Sequence, residues 1–239
     1  MPAFSFYANV VPLNSNAHQH LRVKPLADYK FTRKTQSVAI GAGEFLDCAV
    51  EFPIVFVRTN ISVVPVALLG ARPDENLFVD GAGKWDAGYL PAFVRRYPFV
   101  TLNELDQRLS VGYDETSALL QGKEGERLLG EDGQPSDYFK NTLKFLERAH
   151  AEFLRGESLA KTLDEKGLLQ PMSATMTIEG GQSVELGGFE VVNVAKLDAM
   201  SIGEQGLLAK TGDLVLIHAH LVSMRNFRKL LARLEKKLG

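Results

Sequence analysis

Four of the five histidines stand in two His-x-His pairs, His18/His20 and His218/His220. On an extended strand, residues two apart point to the same side, so each pair could offer two imidazoles to one cation. Glu44 or Asp47 would supply a third ligand, and Glu44 a general base, in a metal-dependent enzyme. No spacing ties these segments together, and an isolated imidazole is more commonly a hydrogen-bonded core or surface group, so no metal is assigned. A second constellation is Arg95-Arg96-Tyr97-Pro98-Phe99, preceded by Trp85 and Tyr89. Guanidinium groups beside aromatic rings suit carboxylates, phosphates and planar ligands. Trp85, Tyr89, Arg95, Arg96 and Tyr97 are therefore the expected binding surface. The competing reading is that the arginines form internal ion pairs while the rings fill the core.

Nucleophilic chemistry finds little support. Cys48 sits in the apolar run Phe45-Leu46-Asp47-Cys48-Ala49-Val50 and reads as a small core residue, and no serine occupies a Gly-x-Ser-x-Gly turn. Gly41-Ala42-Gly43 lacks the third glycine and the preceding strand of a dinucleotide fingerprint, and a Walker loop is absent. No catalytic residue and no cofactor are assigned. The last segment carries Arg225, Arg228, Lys229, Arg233, Lys236 and Lys237, a solvated helix face or a surface for an acidic partner.

Twenty-seven basic against 29 acidic side chains leave a net charge of -2, which gives no overall field to attract nucleic acid. A lone cysteine excludes an intrachain disulfide and a cysteine-rich zinc site, and fits a reducing, cytoplasmic location. Met1 to His20 has no basic start followed by an apolar stretch, so a cleaved signal peptide is not expected. The runs at 54–57 and 214–217 are too short to cross a bilayer and read as buried strands.

The elements that must carry these residues follow from periodicity. Runs at 54–57, 61–69 and 76–79 predict adjacent strands joined by polar turns, after a short helix over 43–50. From Ser136, a plausible N-cap, Phe139, Leu143, Leu146, His150 and Phe153 recur at steps of three and four and predict an amphipathic helix. A second helix over 157–166, ended by Gly167, would complete a central helical hairpin. Strands are expected over 172–178, 183–186 and 189–194, broken by Gly180-Gly181 and Gly187-Gly188, and another over 214–218. A final helix would align Met224, Phe227, Leu231, Leu234 and Leu238. The fold class is α+β, a mainly antiparallel sheet with that hairpin and a C-terminal amphipathic helix, in one domain over 1–239. The loop 122–136 is the alternative boundary.

Several segments together resemble the bacterial SapC-like family. They are Val11-Pro12-Leu13-Asn14 with His18, Glu44-Phe45, Pro53-Ile54-Val55-Phe56, Leu68-Leu69-Gly70, Asn76-Leu77-Phe78-Val79-Asp80, Gly83 and Trp85. The most specific is Tyr89-Leu90-Pro91-Ala92-Phe93-Val94-Arg95-Arg96-Tyr97-Pro98-Phe99, supported by Gly167-Leu168-Leu169 and His220-Leu221-Val222-Ser223-Met224. The resemblance runs nearly end to end and is to the surface-layer-named family, not to the membrane permease that shares the label. Members are often encoded in proteobacteria beside outer-membrane receptor, flavin halogenase-like and cupin-like genes, which implies an accessory role in uptake or modification. The expectation is a non-enzymatic binding or accessory protein for a small ligand, peptide or partner protein. A metal-dependent enzyme and a surface-layer structural protein are the alternatives.

Overall fold

The computed structural model describes residues 6–103, 109–120, 123–177 and 183–238. In chain order the strands are β1 (Val10–Pro12), β2 (Arg22–Val23), β3 (Ser37–Ala39), β4 (Ile54–Arg58), β5 (Val63–Leu68), β6 (Phe99–Asn103), β7 (Leu109–Asp114), β8 (Glu126–Arg127), β9 (Leu169–Thr177) and β10 (Ser183–Val192). The α-helices are α1 (Phe45–Glu51), α2 (Ala92–Arg95), α3 (Asp137–Glu165), α4 (Val194–Asp198), α5 (Ile202–Thr211), α6 (Asp213–Ser223) and α7 (Phe227–Leu238). The class is α+β, with antiparallel pairing in each sheet.

β4 and β5 are β-branched runs, and every residue of β5 is buried. A strand apolar on both sides needs a cover on each. Here α3 crosses over β5, while α1 and α6 lie against β4. The five strands are ordered β3-β5-β4-β10-β9. A smaller sheet, β1-β7-β6, and the β2-β8 ladder pack with the first half of α3 around a second cluster that includes Leu21, Phe99, Tyr113, Leu128, Phe139 and Leu146. Leu159, Ala160 and Leu163, further along α3, enter the main cluster. One helix therefore serves both cores.

That helix is continuous, where the sequence predicts a hairpin. Its 29 residues span about 44 Å at 1.5 Å per residue. Ser136 caps it as expected, its Oγ accepting from the Phe139 amide at 3.2 Å. Gly156 does not break it. A Cβ there would lie 3.2 Å from both the Ile40 carbonyl oxygen and Pro65 Cγ, so the glycine is where helix and sheet touch backbone to backbone.

Other departures have equally local causes. Residues 76–79 form a turn with a single bridge, Val79 to Trp85, because the Asn76 side chain takes the Phe78 amide and donates to Thr32. Ile61 lies outside β5 in a turn held by Thr59. The predicted strands 183–186 and 189–194 are one strand, β10, with a bulge between Leu186 and Phe189. The Gly180-Gly181 turn lies outside the described residues. Within 123–136, Leu128 and Leu129 are buried in the smaller core. On α7 the fully buried leucines are Leu230 and Leu234, whereas Leu238 is exposed.

The largest correction concerns 214–218, which is helix α6. Gly212, at φ 80°, ends α5 in the left-handed conformation and turns the chain directly into α6. Among the described residues no single helix is long and apolar enough to cross a membrane. α5 and residues 213–238 satisfy such a test only as a pair bent by 91°, and Leu208, Leu216, Ile217, Leu230 and Leu234 are buried in the main core.

α6 also closes the main sheet. β4 and β10 are joined at one pair, Glu190 opposite Phe56, a register that next places Val192 opposite Ile54. Between those two residues lies the His220 ring. Nε2 accepts from the Val192 amide at 3.1 Å, which fixes the proton on Nδ1, and Nδ1 donates to the Ile54 carbonyl at 2.8 Å. One turn on, Ser223 Oγ accepts from the Ile54 amide at 2.9 Å, and Asn226 Nδ2 donates to the carbonyls of Ala49 (2.7 Å) and Phe52 (3.1 Å). All three side chains are essentially inaccessible to solvent.

Burial lowers the His220 pKa from 6.5 to about 4. The unfolded chain thus binds the extra proton first as pH falls, and stability is lost between pH 6.5 and 4, by on the order of 3 kcal/mol. We expect urea unfolding of the wild type to weaken across that window. A His220→Asn chain should be less stable at pH 8 and should lack this part of the slope; an unchanged slope would refute the neutral wedge.

Candidate functional site

The histidine pairs do not converge. His18 lies in a turn, where its Nδ1 accepts from the Asn14 amide at 3.0 Å and its ring meets Tyr113, and His20 is exposed. His218 and His220 are on a helix, where a step of two turns a side chain to another face: His218 is exposed and His220 is the buried wedge. Among the described residues no group of three or more His, Cys, Asp or Glu side chains is placed to hold a metal ion. Cys48 is fully buried, and burial together with the Glu44 and Asp47 charges pushes its thiol pKa well up.

The aromatic and arginine residues of 85–97 fold into different surroundings instead of one exposed face. Trp85 is buried against Phe52, Phe78 and Tyr29, and its Nε1 donates to the Tyr89 carbonyl at 2.8 Å. Tyr97 stacks on Phe31 with centroids 4.2 Å apart. Arg95 turns toward Tyr89 and Phe145, its Cζ 5.7 and 5.2 Å from the ring centroids. Arg96 turns the other way, its Cζ 4.1 Å over Phe93 and 5.9 Å from Tyr7. The expected single surface is thus divided, because neighbouring residues on a helical turn point about 100° apart.

Arg96 faces a cavity of about 270 Å³ bounded by α3, α2, β6 and residues of the turn before α1. Phe93, Val100, Leu102, Phe153 and Leu154 make its apolar walls, and Arg96, His150, Glu157, Thr101 and Glu44 its polar points. Buried Arg96 Nε has no hydrogen-bond partner. Among the described residues no carboxylate pairs with this guanidinium, although Glu157 lines the same cavity. Glu157 itself accepts only from Ser62 Oγ, at 3.4 Å, among the described residues. Burial lowers the His150 pKa, the Arg96 charge lowers it further and Glu157 opposes both, so the ring is neutral near pH 7. Tyr7, pressed against Arg96, is pushed up to about 12 chiefly by burial and donates to the Phe99 carbonyl at 2.8 Å.

Glu44 is not a free ligand or base. Its Oε2 accepts from the Gly41 amide at 2.9 Å, and its Oε1 from Tyr89 Oη at 2.9 Å and the Ala92 amide at 2.6 Å. It ties the turn before α1 to the first amide of α2, and so sets where Phe93 and Arg96 stand. The Gly43 amide is likewise taken by Glu152 Oε2 at 2.7 Å, so the Gly41-Ala42-Gly43 turn binds the protein's own carboxylates.

Of the expected binding residues, then, Arg96 reaches the cavity, while Trp85 and Tyr97 are held among other rings. His150, Phe153 and Glu157 were missed as site residues. The signal available was a histidine on the otherwise apolar face Phe139, Leu143, Leu146, Phe153.

Removing the Glu44 carboxylate should leave two buried amides and a phenol unsatisfied. We expect Glu44→Ala to lower unfolding free energy by about 3 kcal/mol and Glu44→Gln by less, read from urea midpoints. Equal stability of all three chains would overturn the positioning role.

A family model for SapC matches residues 13–230, nearly the whole chain, and the chain belongs to that family. No curated protein and no solved structure matches it.

Proposed function

We propose that this SapC-family chain is a non-enzymatic binding protein, and that the cavity beside Arg96 takes a small organic anion with an apolar body. The observation that carries this reading is Arg96 in the wall of a cavity whose other sides include Phe93, Val100, Leu102, Phe153 and Leu154: its buried Nε has no hydrogen-bond partner, and no carboxylate among the described residues pairs with its guanidinium. A buried donor without a partner costs about 1–3 kcal/mol, more when charged, and a ligand carboxylate would recover that cost with a charge-assisted bond. Phe93 already covers one face of the guanidinium, which fixes the direction of the remaining N–H groups. Phe153 and Leu102 would contact the ligand body. The volume lies at the small end for ligand sites, which favours a compact acid over a drug-sized molecule.

The accessory role implied by family resemblance is compatible with such a binder, and a reducing cytoplasmic setting, supported by the lone buried Cys48, is part of the proposal. A protein or peptide partner would engage a separate surface.

Thermal unfolding in the presence of arylcarboxylates and short branched fatty acids, with the matching primary amides as neutral controls, tests the reading. The carboxylates should raise Tm in proportion to ln[ligand] and the amides should not. Arg96→Met should weaken carboxylate binding at least about tenfold, with Arg96→Lys intermediate because it keeps the charge and loses the fork. Equal shifts from acids and amides, or full binding by Arg96→Met, would reject it.

A further inference from the structure

We infer that the groove between α1 and α6 docks an acidic amphipathic helix of another protein. Leu46, Val50, Val215 and Val222 are 60%, 63%, 54% and 47% exposed. Large apolar side chains scattered singly over a surface need no explanation, but these four line one concavity of about 610 Å³. Its floor includes the small buried residues Ala49 and Ala219, which leave room for the ridge of a third helix. The groove shares no lining residue with the cavity beside Arg96.

The rim selects the charge of the occupant. Arg225 and Lys229 line it, and neither pairs with a carboxylate among the described residues. Lys229 Nζ donates to the Val50 carbonyl at 2.6 Å, which holds its ammonium at the mouth. Further along the same terminal segment two cations are paired, Arg233 with Asp86 at 2.7 Å and Lys237 with Glu75 at 3.2 Å. An apolar stripe flanked by carboxylates fits this pattern, as in other helix-in-groove recognition. A lipid surface would meet a convex apolar face, and nucleic acid would not fill an apolar floor.

Fluorescence anisotropy with two synthetic peptides provides the test. Both carry leucines at i, i+3, i+4 and i+7; one has glutamates on the flanks of that stripe and the other lysines. The acidic peptide should bind the full chain, more weakly as salt rises, and the basic one should not. Val222→Asp should weaken binding at least about tenfold, and Arg225→Glu should weaken it and flatten the salt dependence. Val222→Ser replaces Val222→Asp if circular dichroism shows the latter unfolded.

Three outcomes would overturn the inference. One is no binding of the acidic peptide, or equal binding of both. Another is capture of phosphatidylcholine–phosphatidylglycerol vesicles that Val222→Asp abolishes, which would make the groove a membrane contact. The third is sedimentation as a dimer that Val222→Asp dissociates, which would make it a self-association face.

Discussion

The imidazole of His220 stands in for a missing rung of the main sheet. β4 and β10 share one backbone pair, and beyond it the Val192 amide and the Ile54 carbonyl are joined through the two nitrogens of a side chain from α6. Ser223 and Asn226 continue the same seam, so the amide and carbonyl groups at the start of β4 and the end of α1 are satisfied by one helical face. A buried polar network of this kind stabilises only when every member is satisfied. Here the fully buried ring has both nitrogens engaged, and the neighbouring core includes Phe56, whose ring lies 5.1 Å from the imidazole centroid.

The cavity exists because of a second constraint, the length of α3. One helix packs its early residues on the smaller sheet and its later residues on the main sheet, touching the latter through Gly156. Around the second of those contacts Ala149, His150, Phe153 and Glu157 form one wall of the space that Arg96 faces, opposite α2 and β6. Glu44 fixes the opposing wall by holding Tyr89 and the first amide of α2. The site is therefore assembled from four stretches of chain, each held by contacts made for the fold.

Much of this was readable in the residues. β4 and β5 are β-branched runs with turn residues between them, Ser136 opens α3 as its side-chain chemistry requires, and Cys48 is the inert core residue its neighbours suggest. The misreadings share one cause: a short apolar run does not declare its period. Leu214-Val215-Leu216-Ile217 looks like a strand until Leu216, His220 and Ser223 are read together as one helical face. Similarly, the stretches before and after 156 look like two helices until the close approach of Gly156 to Ile40 and Pro65 shows why a glycine stands within one. The site was legible in residue type but not in direction. Arg95 and Arg96 are adjacent letters with opposite outlooks, and nothing near them in the chain announces that His150 and Glu157 will stand across from Arg96.

The bridging ring of His220 also makes the integrity of the sheet depend on a segment far along the chain from most of its strands. Strands β3, β4 and β5, and the β9-β10 hairpin, all precede residue 220 in the chain, yet beyond the Glu190–Phe56 pair the join between the two groups runs through its side chain. Without that side chain the Ile54 carbonyl and the Val192 amide would stand as open edge groups, and such edges invite pairing with other chains. The helical face that carries His220, Ser223 and Asn226 thus acts as the clasp of the sheet: without the ring, the Glu190–Phe56 pair would be what joins its two groups of strands.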